Sequence, residues 1–168
     1  MDFSFTPTDA ATKTRVPYYE DARADFAPYY RSKKTNKAAR AEVTAELAKL
    51  DGAVVAFREG YFGVKPKRYG YEIEFLLFGR RGVLRVVGLP MWNETETKKA
   101  QVLVQALLNV RDWLKTLVTQ RTFQPSAVHP LVTHMLMDNG RTVGEELAAR
   151  GRLPEIESGV TDGEFSEG

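Results

Sequence analysis

The chain has 168 residues, 43% of them hydrophobic, which is enough for one domain with a packed core. It contains no cysteine, so disulfides, thiol nucleophiles and cysteine-ligated zinc or iron–sulfur centres are excluded. The formal net charge of +2 hides an asymmetry: residues 61–125 carry 11 basic and 5 acidic side chains, whereas residues 126–168 carry 3 and 8. A basic middle is thus followed by an acidic end.

Residues 1–35 read as an irregular arm, broken by Pro7, Pro17 and Pro28. The absence of cysteine makes a cytoplasmic location the expectation, and Met1-Asp2-Phe3-Ser4 opens no basic-then-apolar run of the kind a signal peptide has. No apolar run approaches about 18 residues, so no membrane span is expected. The arm holds two tyrosine pairs, Tyr18-Tyr19 and Tyr29-Tyr30, the second running into Arg31, Lys33, Lys34 and Lys37. These rings either pack onto the domain surface or stack on bases while the cations meet phosphates.

A single α+β domain is expected over residues 36–152. Thr35 or Asn36 starts a helix that buries Val43, Leu47 and Leu50 and stops at Asp51-Gly52. Residues 53–89 read as a four-stranded antiparallel meander: Ala53–Arg58, a turn at Glu59-Gly60, Tyr61–Val64, a basic loop at residues 65–68, Tyr69–Phe78, a loop at residues 79–82, and Val83–Val87. A four-residue loop sets Leu77 opposite Leu84. Tyr69, Tyr71, Ile73, Phe75, Leu77, Leu84 and Val86 then share one apolar face, and Glu72, Glu74, Leu76, Phe78, Val83, Arg85 and Val87 the other. In that register Arg85 lies diagonal to Glu74, within reach of an ion pair.

The longest helical pattern runs from Asn93 to Thr119 without Gly or Pro. Leu103, Leu107, Val110, Leu114 and Leu117 step by four and three residues, which aligns them in one buried stripe. Asn93 with Glu96 has the spacing of a capping box. A second apolar stripe with Val102, Ala106 and Trp113 offers a face for self-association, so a homo-oligomer, most simply a homodimer, is expected. Trp92, beside Met91 in the turn before the helix, either packs under that loop or joins a contact surface. Shorter helices are expected over residues 127–137 and from Thr142 to Arg150, the latter with a Thr142–Glu145 capping box. All helices are expected on one face of the sheet. Residues 153–168 contain five acids and no basic residue, the composition of a disordered acidic tail.

The chemistry-bearing motifs are few. His129 and His134 are five apart, which puts them on different sides of a helix, and no third metal ligand accompanies them. There is no Gly-x-Ser-x-Gly turn, phosphate-binding loop or dinucleotide fingerprint. No catalytic residue, cofactor or metal is therefore expected. Glu72 and Glu74 share a strand face, and that pair alone supports the alternative of a small metal-dependent nuclease. The basic loops carry the leading expectation. Lys65, Lys67 and Arg68 adjoin Tyr69 at one end of a strand of roughly 33 Å, and Arg80 and Arg81 stand at the other, with Arg85 between. Such cations can track a phosphate backbone while an aromatic ring stacks on a base. The expected function is non-enzymatic binding of single-stranded nucleic acid, DNA or RNA, with the acidic tail modulating binding or docking a protein partner. This layout, a basic aromatic body with an acidic tail ending near Phe165, is similar to that of single-stranded DNA-binding proteins. The remaining alternative is an oligomeric scaffold or adaptor that associates through the long helix.

Overall fold

The computed structural model describes residues 16–23, 27–124 and 128–150. The acidic tail expected from residue 153 and the first fifteen residues of the arm lie outside them.

Helix α1 spans Asn36–Lys49, and the Thr35 hydroxyl caps it by accepting the Ala38 N–H at 3.1 Å. Ala39, Val43 and Leu47 recur every fourth residue and are fully buried. The helix ends where Asp51 turns left-handed, with φ of 64°.

The sheet has three strands, ordered β1-β2-β3 and antiparallel: β1 is Gly52–Phe62, β2 is Arg68–Leu77 and β3 is Arg80–Val87. The expected turn at Glu59-Gly60 does not form. Glu59 lies opposite Tyr71, Gly60 opposite Gly70 and Tyr61 opposite Tyr69, so one long strand replaces two short ones. β2 supplies a full-length partner, and a β-bulge at Val55 shifts the phase so that Val54 and Phe57 both turn to the core.

The β2–β3 hairpin turns on two residues, not four. Phe78 and Gly79 have φ of 51° and 78°, the positive pair that marks a type I′ turn. Leu84 consequently faces Ile73, not Leu77, and Arg85 lies directly opposite Glu72. The slip from the expected register is four residues. An even slip leaves every side chain on its expected face. Tyr69, Tyr71, Ile73, Phe75, Leu77 and Leu84 are accordingly buried.

Helix α2 runs from Glu96 to Phe123 and crosses this apolar face. Its cap is Thr95, whose hydroxyl accepts the Lys98 N–H at 3.2 Å, so the expected Asn93–Glu96 box does not form. The stripe Leu103, Leu107, Val110, Leu114 and Leu117 is buried. Val102 and Ala106 are buried by the same chain, so two of the three residues expected to drive self-association are already covered. The approach is close: a Cβ at Gly88 would stand 2.2 Å from the Val102 carbonyl oxygen, so only glycine fits. Buried Gln105 ties the layers together, accepting the Leu89 N–H at 3.0 Å and donating to the Pro28 carbonyl at 3.1 Å.

The segment expected as a helix over 127–137 is different. It contains a single 3-10 turn at Val132–His134, after which Leu136 donates its N–H to the Arg81 carbonyl at 2.9 Å along the outer edge of β3. Pro130 and the β-branched Val132-Thr133 pair disfavour a continuous helix, and buried Leu131 anchors the turn. Helix α3, Val143–Arg150, starts on the expected capping box: Thr142 and Glu145 bond reciprocally, each at 3.2 Å. It does not join the other helices. Glu145 pairs with Arg85, on the face of the sheet opposite α2. Among the described residues no helix is long and apolar enough to cross a membrane.

Candidate nucleic-acid interface

The expected cations do lie at the two ends of β2, but they differ in what holds them. Glu74 is almost buried, and both its oxygens are taken: Oε2 accepts from Arg58 at 3.1 Å and Oε1 from the Arg81 Nε at 2.7 Å. Arg85 lies 3.7 Å from the Glu72 carboxylate and also pairs with Glu145. Arg68 donates its Nε to the Gly88 carbonyl at 3.0 Å, and burial pushes its guanidinium below the usual arginine value. Arg68, Arg81 and Arg85 are thus structural partners, each with a share of its hydrogen-bonding capacity spent. Lys65, Lys67 and Arg80 have no carboxylate partner among the described residues. Glu72 and Glu74, the pair behind the nuclease alternative, face arginines.

The expected stacking residue is misplaced. Tyr69 is only 8% exposed, and its hydroxyl donates to Glu94 at 2.8 Å. That bond to a carboxylate raises the phenol's pKa above its ordinary value. A ring so enclosed has no free face for a base. Its cross-strand neighbour Tyr61 is 58% exposed and meets Tyr69 edge-on at 6.1 Å. The Lys67 ammonium lies 4.3 Å from the Tyr61 ring centre, within cation–π range. Lys99, from the first turns of α2, reaches to 4.9 Å from the Tyr69 ring. It is a cation that no spacing in the sequence places here. Glu94 brings a negative charge to the same corner.

At the far end of β2, Phe78 is 74% exposed at the tip of the hairpin, next to Arg80. A bulky residue in the left-handed region costs backbone energy. Among the described residues its ring meets that of His129 edge-on, with centroids 6.0 Å apart. His129 itself is fixed: its Nδ1 accepts the Leu131 N–H at 3.1 Å, which leaves the Nε2 proton to donate to the Leu50 carbonyl at 3.0 Å. The strand pattern already sets Phe78 on the face away from the core, but the pattern alone does not show that Tyr61, and not its cross-strand neighbour Tyr69, is the exposed ring.

Tyr19, Tyr29 and Tyr30 of the arm pack against the core, whereas Tyr18 is exposed. Tyr29 donates to Asp112 at 2.6 Å, Tyr30 and Tyr19 pack edge to face, and Tyr18 stacks on Trp92 at 6.1 Å. The Tyr29 phenol is held above its usual pKa by Asp112, and Arg111 ties the same carboxylate to Glu42. Glu20 accepts the Asn93 N–H at 3.2 Å and meets the Lys98 ammonium at 3.2 Å, which settles the turn around Trp92. The arm serves chiefly as packing and offers few rings to a ligand. No family model, no curated protein and no solved structure matches this chain.

Proposed function

We infer that this is a non-enzymatic, cytoplasmic protein that binds single-stranded nucleic acid. One observation carries the reading: each end of β2 sets an exposed aromatic ring beside cations that have no carboxylate partner among the described residues, Tyr61 with Lys65 and Lys67 at one end and Phe78 with Arg80 at the other. The spacing, roughly 33 Å for ten strand residues, fits several nucleotides of an extended strand. Stacking tolerates any base, so little sequence preference is expected. The acidic tail competes with the ligand for the same cations or docks a protein partner, and the assembled form is a homodimer.

The test is an anisotropy titration of a labelled oligothymidylate from about 50 to about 200 mM salt. Each phosphate neutralised on a single strand contributes roughly −0.7 to the log–log slope. Lys65→Ala with Lys67→Ala should flatten the slope by about 1.4 if both touch phosphate. Tyr61→Ala should weaken binding by about 1–3 kcal/mol with the slope unchanged, and Tyr69→Phe should do nothing. Absence of binding by the intact protein at the lowest salt sinks the reading.

A further inference from the structure

β3 lies at the edge of the sheet, and its outer edge is only half used. Gly88 donates to the Tyr69 carbonyl and Leu136 donates to the Arg81 carbonyl. With the antiparallel alternation, this turns the N–H and C=O groups of Arg81, Val83, Arg85 and Val87 away from β2. The chain's own segment around Met135 pairs at Gly82 and then leaves the edge in the 3-10 turn at Val132–His134. Arg85 and Val87 therefore present backbone donors and acceptors with no partner among the described residues.

Two cavities flank this open edge, one on each side of the sheet plane. On the α2 side, about 310 Å³ is lined by Leu84, Val86, Ala106, Val110, Trp113 and His134. On the other side, about 280 Å³ is lined by Val83, Thr133, Thr142, Gly144 and Glu145. Arg85 and His134 border both. Trp113 is 37% exposed here and meets the His134 ring edge-on at 5.1 Å. An apolar pocket on one side of an open edge, with a second pocket of mixed lining on the other, matches a strand, whose side chains alternate between faces.

We propose that the outer edge of β3 at Arg85–Val87 captures a short extended peptide segment, which pairs with the edge and places one large uncharged apolar side chain in the Trp113 pocket. Charge selects the occupant. Arg85 is already paired with Glu72 and Glu145, so it is not free for an acidic segment, and a charged side chain in the apolar Trp113 pocket would be buried without a partner, which favours an uncharged one. Size selects it too. The open edge is about 10 Å long, whereas a stable second copy would need about 800 Å² per partner. The line of pairing also continues the one that Leu136 already makes with Arg81.

The probes are capped peptides of alternating Thr and Val with a central Leu, Phe, Ala or Asp, titrated into the intact protein and followed by amide and indole NMR shifts. The Leu and Phe peptides should shift Arg85, Val87 and the Trp113 indole, and should bind about tenfold tighter than the Ala peptide, with the Asp peptide weaker still. N-methylation of the peptide amides that face the edge should abolish binding. Val87→Pro, which removes an outward N–H while sparing the ladder to β2, should do the same. Should that variant fail to fold, the methylated peptides still decide. The idea is overturned if methylation leaves affinity unchanged, if free indole fills the pocket while none of the peptides binds, if peptide binding only tracks dissociation of a dimer, or if deleting residues 151–168 is needed before the peptides bind.

Discussion

Phe78 concentrates the functional question in one side chain. It is bulky, exposed and left-handed, three properties that stability alone selects against. Asn tolerates that backbone better, so Phe78→Asn should raise stability by on the order of 1 kcal/mol in urea denaturation. The same change should weaken oligothymidylate binding. Opposite signs in the two measurements identify a ligand-facing ring; weaker stability with unchanged binding would mark it as packing. His134 gives a second residue-level expectation. Burial against Trp113 lowers its pKa below the ordinary 6.5. The unfolded chain then takes up this proton at higher pH than the folded one, so the linked stability is complete above about pH 6.5 and is lost as pH falls toward the folded pKa. Thermal melts of the parent and His134→Gln between about pH 7 and 5 should show a shallower pH dependence in the variant. Equal slopes would mean that His134 titrates as it does in water.

The elements were legible wherever their period was long and uniform. α2, the face assignment of β2 and the Thr142–Glu145 box follow directly from spacing, because burial along a stripe or alternating face tolerates small errors in the ends. Even a wrong turn length at Phe78-Gly79 left the faces intact, since the slip was even. What failed depended on tertiary partners. β1 runs through Glu59-Gly60 because β2 pairs with its whole length, and residues 135–136 leave helical geometry to pair with the outer edge of β3. The candidate site shared that limit: its cations were visible as loops, but which arginines were already bound to carboxylates was decided by register and by Glu145. The cap of α2 is a direct check on boundary reasoning. Thr95→Ala should cost about 1 kcal/mol, since the Lys98 N–H loses its acceptor. Asn93→Ala should cost far less, because Asn93 contributes its backbone to Glu20 and Lys98. A chemical-denaturation comparison in which Asn93→Ala is the costlier change would restore the earlier start of the helix.

For the whole molecule, the separation of charge along the chain has the clearest consequence. Removing residues 154–168 takes away five acids and no base, which moves the net charge from +2 to +7. A more positive body attracts a polyanion more strongly over distance, and that attraction is screened within about 10 Å at 0.1 M salt. The truncated protein should therefore bind oligothymidylate faster and tighter near 50 mM salt, and the two forms should converge as salt rises. A tail that competes by direct contact with Lys65, Lys67 or Arg80 predicts something further. Those cations would be partly neutralised in the intact protein, so truncation should also steepen the salt slope, by roughly 0.7 for each cation released to a phosphate. Stopped-flow association and equilibrium anisotropy on the same two proteins separate the cases. A rise in association rate with an unchanged slope assigns the tail a long-range role only. A steeper slope assigns it direct contact with the basic ends of β2. If truncation changes neither rate nor affinity, the acidic end does not regulate these cations, and its charge has to be explained by a protein partner.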